Sequence, residues 1–275
     1  MNEDSLLCLN LSDSKKPAAV IAVADGIGGH VGGKTASSLA VKTLEDSTRH
    51  YFENSDPGSF QYAKMMEDSS QSANHRIFEE SAVNTELTGM GSTMVAAMIA
   101  DGEATISNVG DSRAYLIRNG DLRQLTHDHS WKAEQLRFNN MSEEDIEQSP
   151  FKHTITRSLG FQSDVEIDIF QIKLQDKDYL LLCSDGLYES LTDDLTVKIF
   201  QSKKKPEKIT QKLVKAANQR SGHDNITAVV AQVIGIEGET EGSGGTRKKL
   251  SDTVKLEGIR PKPPFGDTIK LPPGD

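Results

Sequence analysis

The apolar positions fall into short runs separated by turn residues, with two long stretches of helical period among them. Ala18–Ala24 is an unbroken apolar run, followed by glycines at 26, 28, 29, 32 and 33. It is far too short to span a bilayer and reads as a strand. Behind the glycines, an apolar period predicts a helix over about Lys34–Asp46 and a second, longer one over about Gly58–Val83. A meander follows: apolar Ser92–Ala100, the turn pair Asp101-Gly102, strands at Ala104–Val109 and Ser112–Arg118, then Asn119-Gly120 before Leu122–Leu125. Asn-Gly fits the tight turn of a two-residue hairpin, so these strands pair antiparallel. Further strands are predicted at Val165–Ile172, Tyr179–Ser184 and Ile226–Val233, with helices at about Leu191–Gln201 and Pro206–Arg220 between the last two. Helices grouped between blocks of strands predict an α+β fold rather than alternating βαβ units.

The pattern ends near Ile236. Residues 236–275 hold five of the nine prolines, seven of the 22 glycines and a single aromatic, Phe265. Too little apolar surface is available there to offset the entropy of ordering, so a flexible Pro/Gly-rich tail is expected behind one folded domain over residues 1–235. The tail carries 7 basic and 7 acidic residues, so the whole net charge of −10 resides in the domain. That sign excludes the electrostatic footprint of a nucleic-acid or anionic-membrane binder. Two cysteines, Cys8 and Cys183, exclude a disulfide framework and a four-cysteine zinc site. Cys183, inside an apolar strand, is expected to be an inert core thiol. The start, Met-Asn-Glu-Asp-Ser, lacks the basic and apolar regions of a secretory signal, and a cytoplasmic protein is expected.

Carboxylates recur at strand margins. Asp25-Gly26 ends Ile-Ala-Val-Ala, Asp111 follows Ser-Asn-Val-Gly, Asp185-Gly186 ends Leu-Leu-Leu-Cys-Ser, and Asp224-Asn225 precedes Ile-Thr-Ala-Val-Val; Glu3-Asp4 precedes Leu6-Leu7. Any one of these alone reads as a turn. Together they place several carboxylates where they are partly desolvated, and such a group must become neutral, find a cationic partner or bind a metal ion. Converging carboxylates suit hard divalent ions, Mg2+ or Mn2+, better than Zn2+.

These segments carry a resemblance. Asn2-Glu3-Asp4-Ser5, Val23–His30, Gly89–Thr93, Val109–Tyr115, Leu125–Ser130, Thr156–Gly160, Cys183–Leu187 and Asp224–Thr227 occur in the order of the metal-dependent (PPM, type 2C) serine/threonine protein phosphatases in their bacterial-type form, over about residues 2–235. The resemblance implies a four-layer α-β-β-α sandwich of two antiparallel sheets flanked by helices. It also implies two Mn2+ or Mg2+ ions at one end. Asp25 would bridge them, the Gly26 carbonyl would bind one, and Asp185 and Asp224 would hold the other. Asp111 would help hold a third, weaker ion, and Glu3 or Asp4 would act through bound water. A metal-bridging water would attack phosphorus in line, without a covalent phosphoenzyme. Phosphorylated Ser/Thr proteins are the implied substrates and a cognate Ser/Thr kinase the implied opponent; nucleic acid and membrane are not expected as partners.

Two departures from the family accompany the match. The family's phosphate-contacting arginine precedes Asn-Glu-Asp, whereas this chain begins at Met1-Asn2; either this start is internal to the natural protein or the first strand and its phosphate clamp are lost, and weaker phosphate binding is expected of the chain as given. Ile27 stands where eukaryotic relatives carry a histidine, so a metal-bound water would serve as the acid rather than nearby His30. The segment Trp131 to His153 resembles the family's flap, with Ser142 as a helix cap and Asp145 three residues on.

Two rival readings compete. Gly28–Thr35 fits the phosphate-binding loop G-x-x-x-x-G-K-[ST] with Lys34 as its lysine, but a nucleotide hydrolase leaves Asp4, Asp111 and Asp224 idle and wants a parallel sheet. A catalytically silent phosphoprotein-binding module would not need all the metal-binding aspartates. In the tail, Asp252-Thr253-Val254-Lys255-Leu256 recurs as Asp267-Thr268-Ile269-Lys270-Leu271. Thr253 and Thr268 are candidate phosphorylation sites, and the phosphorylated motif resembles ligands of forkhead-associated domains.

Overall fold

A computed structural model describes residues 2–11, 18–56, 58–138, 141–202, 205–220, 224–234 and 253–259, the last as backbone alone, as also for His30. In chain order its first half contains β1 (Ser5–Asn10), β2 (Ala18–Ala24), β3 (Gly26–Ile27), α1 (Gly29–Asn54), α2 (Tyr62–Val83), β4 (Gly91–Ser92), β5 (Met94–Ala100) and β6 (Glu103–Val109). Then come β7 (Arg113–Arg118), β8 (Asp121–Gln124), α3 (Trp131–Phe138), α4 (Glu143–Gln148) and β9 (Asp168–Lys173). The last group is β10 (Tyr179–Cys183), α5 (Asp185–Tyr188), α6 (Asp193–Gln201), α7 (Pro206–Arg220), β11 (Ala228–Ile234) and β12 (Thr253–Ile259). Two five-stranded sheets result, in the orders β1-β2-β5-β6-β9 and β12-β11-β10-β7-β8, beside the small pair β3-β4. Every pairing among the described strands is antiparallel, as the hairpin signals predict.

The unbroken apolar run of β2 is explained by its two faces. Val20, Ala22 and Ala24 pack against Ala36, Ala40 and Leu44 of α1 and Met66 and Ile77 of α2. Ile21 and Val23 face the other way, into a core shared with Leu180 and Leu182 of β10 and Val229 and Ala231 of β11. The opposite face of the second sheet, through Leu181 and Val230, packs against Ile199 and Phe200 of α6 and Ile209 and Leu213 of α7. Cys183 is fully buried, and burial pushes its thiol up to about 12, which makes it the inert core group expected.

Several elements differ from the sequence pattern, three of them for a plain physical reason. Helix α1 starts at Gly29 rather than Lys34, because its glycines allow a close approach described below. Helix α5 is a single turn, too short to leave a period. Within the stretch read as a uniformly flexible tail, Thr253–Ile259 forms β12, paired along β11 from Ile234↔Thr253 to Ala228↔Ile259. The alternating Thr-Val-Lys-Leu-Glu pattern there is strand-compatible, and a neighbouring edge supplies the pairing that local composition cannot. Thr268 lies outside the described residues.

Candidate metal centre

The strand-end acids are tied together through hydroxyls and backbone. Asp25 follows β2; its N–H donates to Thr93 Oγ1 at 3.0 Å, and its carbonyl accepts from the Thr93 N–H at 2.8 Å and Ser92 Oγ at 2.9 Å. Thr93 Oγ1 lies 2.8 Å from Ser112 Oγ, beside Asp111 in sequence. Asp4 is fully buried and its Oδ2 accepts from Ser184 Oγ at 2.9 Å; Ser184 Oγ accepts from the Thr227 N–H at 3.0 Å. Ser184 precedes Asp185, and Thr227 follows Asp224-Asn225. The Glu3 N–H donates to Asn225 Oδ1 at 2.6 Å. Gly186 completes the joint: a Cβ there would stand 2.2 Å from the Asn225 carbonyl, so only glycine lets these two turns touch.

The electrostatics of the folded chain agree with this arrangement. The Asp25 carboxyl is pushed well above the usual range, first by burial and then by the charges of Asp4, Asp185, Asp224 and Asp111. Asp185 is pushed up to about 7 by burial, then by Asp111, Asp224 and Glu189. Asp111 rises to about 6 through burial and then Asp128, with Arg113 opposing. Asp4 is raised chiefly by burial, against the hydroxyls of Thr227 and then Ser184. Asp25 therefore sits where the fields of four other carboxylates meet.

Two oxygens in this pocket, Asp4 Oδ1 and Asp185 Oδ1, are buried without a hydrogen-bond partner. An ionised carboxylate only accepts, so these oxygens call for a cation. The donor set is all oxygen, which fits Mn2+ or Mg2+. Among the described residues, no group of three or more His, Cys, Asp or Glu side chains is drawn close enough to hold a metal ion. Mutual repulsion of bare carboxylates works against a closed cage, and an ion that retains several waters does not require one.

Each predicted ligand can now be placed. Asp25, Asp185, Asp111 and Asp4 are brought within reach of one another's charges, and Asp224 joins them from an exposed position, its Oδ1 accepting from the Asn225 N–H at 2.7 Å. Of the Glu3-Asp4 pair, Asp4 is the one beside Asp25, whereas Glu3 Oε2 lies against Gly33. Gly26 packs backbone to backbone on α1: a Cβ on Gly26 would meet the Gly33 carbonyl oxygen at 2.0 Å. The rival phosphate-binding-loop reading of Gly28–Thr35 finds no support in this geometry. Gly33 serves this contact and Gly28 and Gly32 lie against Met90, β2 has antiparallel neighbours, and Lys34 Nζ donates to the Asp4 carbonyl at 2.8 Å and Ser5 Oγ at 3.3 Å. The His30 side chain lies outside the described residues.

In the flap, Ser142 Oγ accepts from the Asp145 N–H at 3.2 Å and caps α4 as the sequence indicates. Thr156 Oγ1 donates to Glu134 Oε1 at 2.6 Å and ties α3 to the body. Sequence reasoning missed the hydroxyls of Thr93, Ser112 and Ser184 as struts, and Glu189 as a further acid near Asp185. Only their adjacency to the strand-end aspartates hints at such roles.

The described family model Protein phosphatase 2C matches residues 1–229. The chain is 37% identical over 220 residues to the Serine/threonine phosphatase stp of Listeria monocytogenes serotype 4b, covering 80% of this chain and 86% of that one. A solved serine/threonine phosphatase of S. agalactiae is similar with a TM-score of 0.73 and 31% identity, covering 84% of this chain and 93% of that one. The catalytic domain of the phosphatase PstP, solved in complex with two manganese ions, is similar with a TM-score of 0.70 and 29% identity, over 86% of this chain and 93% of that one. The chain belongs to the protein phosphatase 2C family and is a protein serine/threonine phosphatase.

Proposed function

We propose that the chain hydrolyses phosphoserine and phosphothreonine in proteins at a two-ion centre of Mn2+ or Mg2+ held by Asp25, the Gly26 carbonyl, Asp185 and Asp224. Asp111 helps hold a third, weaker ion, and Asp4 acts through water. The observation that carries this reading is the pair of buried, partnerless oxygens on Asp4 and Asp185 within the field of three further carboxylates. When bound, the ions supply an acidified water as nucleophile and neutralise charge on the phosphoryl oxygens. The protein's part is positioning. The Thr93–Ser112 strut fixes the Asp25 and Asp111 turns relative to each other, and Ser184 fixes Asp4 against the Asp185 turn.

We read the arrangement of the three apolar cores as the four-layer α-β-β-α sandwich, with residues 1–235 as the domain. The flap over Trp131 to His153 selects substrates, a cognate Ser/Thr kinase supplies them in the cytoplasm, and Thr253 and Thr268 are phosphorylation sites able to engage a forkhead-associated domain. The test of the centre is phosphate release from a phosphothreonine peptide across a Mn2+ titration, with EDTA and with Asp185→Ala. Release that rises with Mn2+ and is lost in both controls is expected; release untouched by EDTA overturns the reading.

A further inference from the structure

Tyr188 joins two of the acids through a contact that the centre itself does not explain. It ends the single-turn helix α5 that Asp185 begins, and three residues along a helix place two side chains on one face. Its hydroxyl donates to the backbone carbonyl of Asp111 at 3.1 Å. The ring is held from above by the Arg113 guanidinium, whose carbon lies 3.5 Å from the ring centroid, a cation–π geometry. Arg113 is itself fixed: Nε donates to Asp128 Oδ1 at 2.9 Å, Nη2 to Asp128 Oδ2 at 2.6 Å, and Nη1 to the Tyr115 hydroxyl at 3.1 Å. From the other side, the Gly110 N–H donates to His129 Nδ1 at 3.0 Å. The Asp111 turn is thus clamped on both flanks.

Asp111 and Asp185 repel each other, and a tie that keeps them at working separation must come from groups other than their own carboxylates. We propose that Tyr188 is a positioning residue for the third ion: its hydroxyl, held by the Arg113–Asp128 pair, sets the separation of Asp111 and Asp185. This rests on the reading of Asp111 as a ligand of that weaker ion. The hydroxyl acts on the backbone carbonyl of Asp111 alone, so its loss loosens that turn first and leaves every carboxylate of the tighter centre in place.

Mn2+ binding to the full chain, measured by isothermal titration for the wild type and Tyr188→Phe, tests this. The variant keeps the ring and its stacking on Arg113. Its weakest Mn2+ step should be about fivefold weaker, the factor one net hydrogen bond corresponds to, with the tighter steps unchanged. Amide resonances of Gly110 and Asp111 in the metal-free variant should shift or broaden, a readout independent of turnover. A weakest step within about twofold of wild type, or equal weakening of every step together with lost thermal stability, overturns the positioning role. A wild-type chain that takes up no Mn2+ overturns the metal centre itself.

Discussion

Ser184 Oγ donates to Asp4 Oδ2 at 2.9 Å across 180 residues of sequence and accepts from the Thr227 N–H. One hydroxyl thus joins the beginning of the chain to both turns that carry Asp185 and Asp224. Ser184→Ala leaves a buried carboxylate oxygen and a buried N–H unsatisfied, a cost of about 1–3 kcal/mol for each. Urea unfolding should show that loss, and the Mn2+ concentration for half-maximal phosphate release should rise. Unchanged stability and unchanged Mn2+ requirement would show that Ser184 is not a strut.

Asp185→Asn separates the cost of the acidic pocket from its use. Burial and the charges of Asp111 and Asp224 oppose ionisation of Asp185, so a neutral isostere relieves strain in the metal-free chain. The metal-free variant should melt higher than wild type, while hydrolysis falls by at least about 10²-fold for loss of one charge-stabilising group. A variant that melts lower and still turns over would contradict both halves.

The pH dependence has a definite sign. Asp111 and Asp185 are raised from 3.8 to about 6 and about 7, so between these values the folded metal-free chain holds more protons than the unfolded one. The stability they contribute is complete below the unfolded value and is lost as pH rises through the folded values. Denaturation midpoints of the metal-free chain should therefore fall from about pH 4 to about pH 8. Saturating Mn2+ should oppose that fall, since the ions replace the protons. An EDTA-treated chain that gains stability over the same range would refute the assignment of these two groups.

Gly186→Ala tests the joint between turns. The added Cβ would lie 2.2 Å from the Asn225 carbonyl oxygen, and backbone must move. Mn2+ affinity and turnover should drop together, with far-ultraviolet circular dichroism unchanged. Normal Mn2+ affinity in this variant would show that Asp185 and Asp224 do not depend on that contact.

Most of the strands and the acids at their ends were legible in sequence because both obey local rules. Strand β2 shows as an apolar run, the β7–β8 hairpin as Asn119-Gly120, and Asp25, Asp111, Asp185 and Asp224 as charges at apolar margins. The glycine-rich start of α1 was not, because Gly29 to Gly33 are poor helix formers locally. They are helical here because Gly33 must pass against Gly26, a contact set by the tertiary fold. Lys34 shows the same limit: its spacing matches a phosphate-binding loop, while its partner, the Asp4 carbonyl, is visible only once the chain folds. Ser184 and Thr93 carry no pattern of their own and became recognisable only through what they touch. In β12 the edge of β11 supplies what composition could not show.

The scattering of the acids along the chain also fixes when the enzyme can begin to work. Asp4 lies before β1, whereas Asp224 and the β11 that follows it come near the end of the described domain. A nascent chain lacking β11 has neither the Thr227 N–H that Ser184 accepts nor the Asn225 side chain that accepts from Glu3. Fragments clipped before Asp224 should therefore release no phosphate from phosphoproteins.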